Sequence, residues 1–208
     1  LATFDDGSGT ALYAGGAFTA AGTTPLQHVA KWTGANWAPL GAGLTISVGA
    51  LAVFDDGSGP QLYAGGSFFV SAPSNYQGEI HRWNGTSWTF VASTGPRSVS
   101  SFAIYDAGTG PQLYGAGAWL MSPLPTGFMV RIAPGGLSPI LGLANLPISG
   151  LLGFDDGTGS RLFAAGSFST IDGISVLRIA SWDGATWAPV GGGFASSMNA
   201  LAVADFGS

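Results

Sequence analysis

The chain has 208 residues, of which 46% are hydrophobic and 8% are charged, and its formal net charge is −5. With one lysine and five arginines it has no basic surface for nucleic acid or anionic lipid, so both are excluded as partners. The absence of cysteine excludes disulfides and thiolate metal sites, and the apolar runs are far shorter than the roughly 18 residues of a membrane-spanning helix.

One sequence pattern recurs through the whole chain. The segment Leu51–Phe68, LAVFDDGSGPQLYAGGSF, has counterparts that begin at residues 1, 102 and 151, and a fifth copy begins at residue 201 and stops after LAVADFGS. The copies are therefore about 50 residues apart, a period that is typical of propellers and other repeat arrays. The 35 glycines fall largely at fixed places in the copies, which indicates turns rather than low-complexity sequence.

The first repeat predicts four short strands. Residues 1–4 and 11–18 form a hairpin around the turn Asp5–Gly9, because Asp and Gly tolerate the positive φ angles of tight turns. After a longer connection, two further strands are expected at residues 28–32 and 37–40. No stretch of the chain has the periodicity of a helix, which indicates an all-β fold.

The predicted strands carry apolar residues on both faces. Ala2, Phe4, Leu12 and Tyr13 occupy both sides of the first hairpin, as in sheets that are covered on both sides. Each blade of a propeller lies between its neighbours, so this pattern is expected there. We therefore predict an all-β propeller, as a single domain or segment, with four-stranded antiparallel blades at residues 1–50, 51–101, 102–150 and 151–200 and the start of a further blade at 201–208.

Glycine and tryptophan occupy equivalent positions in the repeats. The glycines are Gly16, Gly66, Gly117 and Gly166, and a strand tolerates glycine there only if backbone approaches closely or bends. The tryptophans form two columns, Trp32, Trp83 and Trp182 and then Trp37, Trp88 and Trp187. The third repeat has the aliphatic residues Ile132 and Leu137 in their place, which predicts that both columns are packing positions.

The order of these features resembles the kelch repeat. The segment LYAGGSF followed by EIHRWNGTSW has the Gly-Gly after an aromatic residue, the next strand, the tight turn and the Trp-led strand of that family. It is also similar to the propeller repeats of fungal cortical bud-site marker proteins and of bacterial surface proteins with delta-60-type repeats, which Arg178–Trp187, RIASWDGATW, matches best. The resemblance implies a kelch-like propeller. The third repeat departs from it at residues 134–136, so an irregular edge is expected there.

The Asp-Gly turns allow a calcium hypothesis, with Asp5, Asp55 and Asp155 as candidate ligands. Each turn offers at most two adjacent carboxylates, whereas calcium takes roughly six to eight oxygen ligands. The third repeat keeps the turn although Ala107 follows Asp106. We therefore favour a role in the hairpin and expect neither a metal nor another cofactor.

Residues for catalysis are few. The two histidines, His28 and His81, lie at non-equivalent positions of the third strand, and no nucleophile motif accompanies them. The cations Lys31, Arg82 and Arg131 share one column, which could line an anion site. The favoured interpretation is an outer strand on which these side chains have solvated tips, or stems packed on tryptophan.

The sequence leaves two functions open. The first is a non-catalytic binding or scaffolding propeller of a secreted or cell-surface protein, because charge is low and no set of titratable groups converges. The alternative is a propeller-fold enzyme of glycosidase or lyase type, which would need carboxylates at the mouth of a central channel. We expect an extracellular or cell-surface location.

The resemblance to kelch propellers implies a binding face made of the loops between second and third strands, together with the loops between blades. The former loops, at residues 19–27, 69–78, 120–127 and 169–176, differ between repeats far more than the strands do. Loops on a rigid scaffold commonly carry function. Tyr76 and Arg97, from two loops of the second repeat, are therefore the candidate contacts for a protein or glycan partner.

The repeat count bears on assembly. Four full repeats followed by Leu201–Val203 leave one first strand more than a closed four-bladed ring can use. An open arc would leave apolar blade faces exposed to water. We therefore expect an arc that is completed by further chain or by a second copy of the molecule.

Overall fold

The computed structural model describes residues 1–71, 75–119, 126–133, 136–138, 141–155, 157 and 159–204. None of these residues lies in a helix, and more than half of them lie in β-strands. Within these ranges there is accordingly no apolar helix of membrane-spanning length. The prediction of an all-β fold is confirmed.

The strands follow the repeats of the sequence. The first repeat has β1 Ala2–Asp5, β2 Thr10–Gly15, β3 Ala20–Ala21, β4 Thr24–Pro25, β5 Val29–Trp32 and β6 Trp37–Pro39. The second has β7 Ser47–Asp55, β8 Pro60–Ser71, β9 Asn75–Trp83 and β10 Trp88–Gly95. The third has β11 Arg97–Tyr105, β12 Gln112–Trp119, β13 Thr126–Ala133, β14 Gly136–Leu137 and β15 Gly142–Ala144. The fourth has β16 Ile148–Asp155, β17 Ser160–Gly166, β18 Thr170–Ile171, β19 Ile174–Ser175, β20 Ile179–Trp182 and β21 Trp187–Pro189.

Three of the repeats each form one antiparallel sheet of four strands in chain order. The orders are β1-β2-β5-β6, β7-β8-β9-β10 and β16-β17-β20-β21. This confirms the predicted four-stranded sheets. In the third repeat, β11, β12, β13 and β15 continue into the short ribbon β18-β19 of the fourth repeat, so the edge of this sheet is irregular, as expected from the missing tryptophans.

The first strands of the later repeats begin before the predicted blade starts at residues 51, 102 and 151. They begin at Ser47, Arg97 and Ile148. In the second repeat Val48 pairs with Gly66, and a β-bulge separates this pair from the rest of the ladder. Ile148 and Gly166 form the same pair in the fourth repeat, again beside a bulge. Pairing with Gly66 and Gly166 therefore adds residues to the start of the first strand that the sequence alone predicts to be a loop.

The chain forms two compact units, Leu1–Ser100 with Ala133–Leu137 and Ser101–Ile132 with Ser138–Ser208. In the first unit the first and second sheets pack through one apolar cluster, which includes Phe4, Tyr13 and Val29 from the first sheet and Leu62 and Trp83 from the second. In the second unit a corresponding cluster joins the third and fourth repeats and includes Tyr105, Tyr114, Met129, Leu162 and Trp182. Both faces of β12 are covered, as the lack of alternation indicated, because the neighbouring residues Leu113 and Tyr114 point to opposite faces and are both buried.

The tryptophans pack in pairs, one pair for each repeat that has them. The ring centroids are 5.3 Å apart for Trp32 and Trp37, 5.5 Å for Trp83 and Trp88, and 6.3 Å for Trp182 and Trp187. Each pair joins directly opposed residues of the third and fourth strands. Trp83, Trp182 and Trp187 are buried, which supports the packing role expected for these columns.

Candidate functional site

The first predicted contact residue, Tyr76, lies on a hairpin arm that is specific to the second repeat. Strands β8 and β9 run on past the sheet, and Phe69 pairs with Tyr76 across them. The two rings meet edge to face with their centroids 5.2 Å apart. Phe69 is 54% exposed and Tyr76 is 37% exposed. Residues 72–74, which follow β8 in the chain, lie outside the described residues.

The second predicted contact residue, Arg97, is tied into local structure. Its guanidinium donates a hydrogen bond to the carbonyl oxygen of Thr94 at 3.0 Å, and the Thr94 hydroxyl donates to the carbonyl oxygen of Arg97 at 2.6 Å. A side chain at Gly78 would collide with that same carbonyl group. Arg97 therefore closes the turn between β10 and β11 against the base of the arm that carries Tyr76.

The variable loops of the first and fourth repeats have the same backbone structure, although their sequences differ. Residues 19–27 and 169–176 both contain a two-residue ribbon, β3-β4 in one and β18-β19 in the other. Their closing hydrogen bonds match as well, from Leu26 N to Thr19 O and from Val176 N to Ser169 O, both 2.8 Å. The second repeat replaces this ribbon by the arm. In the third repeat, residues 120–125 lie outside the described residues.

The calcium candidates Asp5, Asp55 and Asp155 hold the backbone of their own turns. In each, Oδ1 accepts hydrogen bonds from the backbone N–H groups two and four residues later, at 2.8–3.2 Å. Those partners are glycines with positive φ, for example Gly7 at 95° and Gly9 at 107°. No cluster of three metal-ligating side chains occurs among the described residues. This geometry favours the hairpin role.

Two members of the cation column, Lys31 and Arg82, form ion pairs within their own repeats. Lys31 Nζ lies 2.8 Å from Asp6 Oδ2, and Arg82 NH1 lies 2.7 Å from Asp56 Oδ2. Burial raises the pKa of Asp6, but hydrogen bonds from Lys31 and Ser8 outweigh it and hold that pKa well below its usual range. A hydrogen bond from Ser58 lowers the pKa of Asp56, helped by the Arg82 charge. Lys31 and Arg82 therefore neutralise turn carboxylates instead of forming an anion site.

A cleft in the second repeat contains side chains that the sequence prediction did not select. Phe90 on the edge strand β10 pairs directly with His81 on β9. At the same register, the first repeat pairs Ala30 with Pro39 and the fourth pairs Ala180 with Pro189. The sheet thus forms with a small residue opposite proline in two repeats, and the second repeat replaces both by larger side chains. This difference is visible in the aligned repeats and is the signal that could have identified the site.

The cleft has a volume of about 470 Å³ and lies between β9-β10 and the connection that joins the first sheet to the second. Its lining includes Gly41, Thr45, His81, Trp88 and Phe90. Small-ligand sites generally measure roughly 300–1,000 Å³ and combine apolar walls with a few polar groups. The cleft meets both conditions.

The connecting segment 40–45 is held from both sides. The Trp88 indole N–H donates to the carbonyl oxygen of Leu40 at 3.2 Å, and Gly41 packs so closely on Trp83 that a side chain there would collide with the ring. On the other side, His28 Nδ1 lies 2.9 Å from the carbonyl oxygen of Leu44. Because a carbonyl only accepts, the imidazole donates this bond. One wall of the cleft is therefore fixed before any ligand arrives.

The polar side of the cleft is a histidine–carboxylate pair. His81 Nε2 lies 2.8 Å from Glu79 Oε2, and the two side chains are 14% and 23% exposed. The His81 ring also meets Phe90 edge to face, with centroids 5.7 Å apart. None of the described residues that line the cleft is lysine or arginine. The arrangement offers hydrogen bonds beside an aromatic surface, without a cationic group for an anionic ligand.

Comparisons of this chain with models of protein families, with curated proteins and with solved structures found no match.

Proposed function

We propose that the chain is a kelch-like β-propeller segment that serves as a non-catalytic binding or scaffolding module of a secreted or cell-surface protein. The observation that carries the binding role is the exchange of the Ala–Pro pair of the first and fourth repeats for His81 and Phe90 in the second. Phe90 is 54% exposed. An exposed aromatic side chain beside a hydrogen-bonded polar pair contributes little to the core, and suits contact with a partner.

Repeated contacts between successive sheets support the propeller architecture. Trp88 N–H donates to the carbonyl oxygen of Leu40 in the previous repeat, and Trp187 N–H donates to that of Leu141 in the same way, at 3.2 and 3.4 Å. Gly49 also approaches the backbone at Val99, where the next first strand begins, as expected for neighbouring blades that meet along their first strands. Blades that stack around an axis repeat the same contact with each neighbour, and these two hydrogen bonds fit that arrangement.

The cleft supports a binding role more than a hydrolytic one. Glycoside hydrolysis generally uses two carboxyl groups on either side of the bond that is cleaved. No described residue in the lining is an aspartate or glutamate, and Glu79 reaches the cleft through its hydrogen bond to His81. Glu79 is a single carboxylate, hydrogen-bonded to His81, whereas this reaction generally needs two carboxyl groups.

We expect the purified chain to release no nitrophenol from a panel of p-nitrophenyl α- and β-glycosides of glucose, galactose, mannose and N-acetylglucosamine above the rate in buffer. Absorbance followed over a day at neutral pH measures this. The matched control is Glu79→Gln, which keeps the shape of the side chain and removes its charge. Release by the parent chain that Glu79→Gln abolishes would contradict the non-catalytic role and identify a carbohydrate-cleaving enzyme.

A further inference from the structure

We propose that the cleft bounded by His81, Trp88, Phe90 and the segment 41–45 binds a neutral sugar. This rests on the proposed binding function and assigns it a site and a class of ligand. A pyranose has an apolar face of C–H groups and a rim of hydroxyl groups. It therefore needs an aromatic surface with hydrogen-bonding groups beside it, within a cavity open to water.

Phe90 provides the apolar surface. Its side chain is 54% exposed, although it lies in a strand that is paired along its length with β9. The edge-to-face contact with His81 at 5.7 Å fixes the orientation of the ring. An aromatic side chain held in this way loses little conformational entropy when a ligand packs on it.

His81 and Glu79 provide the hydrogen-bonding groups. A carboxylate only accepts, so Nε2 of His81 carries the proton in their 2.8 Å contact. In the neutral ring Nδ1 is then an acceptor, which suits the hydroxyl donors of a sugar. Thr86 and Ser87 also line the cleft and carry hydroxyl groups. Their backbone N–H groups donate to the side-chain oxygen of Asn84 at 2.9 Å, which fixes the turn to which they belong.

The charge of the site selects against acidic ligands. The lining has no lysine or arginine among its described residues, and the carboxylate of Glu79, which is not part of the lining, is hydrogen-bonded to His81. The nearest cation in β9, Arg82, is next to His81 in the strand and so points to the opposite face, where it pairs with Asp56 at 2.7 Å. A phosphate, a sulfated glycan or a uronic acid would therefore find no counter-charge in the cleft.

The sheet itself does not require these side chains. The first and fourth repeats build the same pair of strands with Ala30 opposite Pro39 and with Ala180 opposite Pro189. The double variant H81A/F90P therefore gives the second repeat a pair that this chain already uses. Proline is acceptable in β10, because that strand is at the edge of its sheet and has a bulge between residues 90 and 92.

The test is a titration of the ¹⁵N-labelled chain with cellobiose, lactose, N,N′-diacetylchitobiose and methyl α-mannopyranoside, followed by amide chemical shifts. At least one of these probes is expected to move the amide signals of residues 41–45 and 86–90 at millimolar concentration. Phe90→Ala and His81→Ala are each expected to raise its dissociation constant about tenfold or more, and H81A/F90P to abolish binding. Phe154→Ala, which removes another exposed phenylalanine that does not line the cleft, should leave it unchanged. Galacturonic acid should bind more weakly than the neutral probes.

Three results would overturn the sugar site. The first is that no probe moves any amide signal, and the second is that H81A/F90P binds as tightly as the parent chain. Shifts confined to Phe69 and Tyr76 would likewise move the site to the hairpin arm, and would leave the proposed binding function standing. The proposed function itself fails on a different observation, the turnover of a glycoside.

Discussion

Replacing Trp182 by alanine is expected to lower the free energy of unfolding by about 3–5 kcal/mol, the usual cost of removing a large buried aromatic side chain. Trp182 is 6% exposed. Its ring lies 5.9 Å from that of Tyr105, 5.7 Å from that of Tyr114 and 6.3 Å from that of Trp187, measured between centroids. The third repeat provides both tyrosines, so the cavity would open between the third and fourth repeats.

Chemical denaturation followed by circular dichroism measures this loss, with Trp32→Ala as the matched control. Trp32 occupies the same column of the first repeat, but it is only partly buried, and its ring contacts that of Trp37. Its replacement should cost less than half as much, because less apolar surface returns to water. Equal losses for the two variants would show that the column acts through strand pairing and not through burial between repeats.

Gly166→Ala is expected to cost about 1–3 kcal/mol, as overpacking of a tight site does. A side-chain carbon at this position would collide with the carbonyl oxygen of Pro147 and lie 3.1 Å from the Cα of Ile148. Neither atom can move without breaking the pairing of Ile148 with Gly166, which places the first strand of the fourth repeat. The reason for glycine is thus the close approach of the backbone.

Gly192→Ala is the control for this prediction. Gly192 is exposed and has nothing within 4 Å of the position that a side chain would occupy. Denaturant unfolding of both variants should therefore show a loss for Gly166→Ala and almost none for Gly192→Ala. A Gly166→Ala chain as stable as its parent would mean that the first strand shifts freely, and that the glycine column does not set its position.

The sequence predicted the elements that local chemistry determines. The Asp-Gly turns form as expected. The side-chain oxygen of Asp5 accepts hydrogen bonds from the backbone N–H groups of Gly7 and Gly9, and these glycines adopt positive φ angles without strain. Strands and tryptophan pairs recur at the predicted positions, because the period of the repeat fixes them. The sequence did not predict that β7 begins as early as Ser47. Val48 pairs with Gly66 beyond a β-bulge, and no local sequence pattern indicates this bulge.

The candidate site was harder to predict, because it depends on strand pairing and register that the sequence does not show. Tyr76 was selected as part of a variable loop, yet it belongs to a long hairpin arm whose pairing with Phe69 is non-local. Arg97 proved to be part of a turn, because its partner Thr94 lies only three residues away. The sequence alone gives His81 no role, because no nucleophile motif accompanies it. The pairing of His81 with Phe90 can be recognised only from the strand register. That register also shows that the first repeat has Ala30 and Pro39 at the same two positions.

The central claim is that His81 and Phe90 serve binding and not folding, and the unfolding free energy of H81A/F90P tests it most directly. If the claim holds, this variant unfolds within about 1 kcal/mol of the parent chain, as substitutions outside the core usually do. The first and fourth repeats already tolerate the same pair of residues at this register. A loss as large as that expected for Trp182→Ala would contradict the claim, and would show that the two side chains are part of the packing that holds the second sheet.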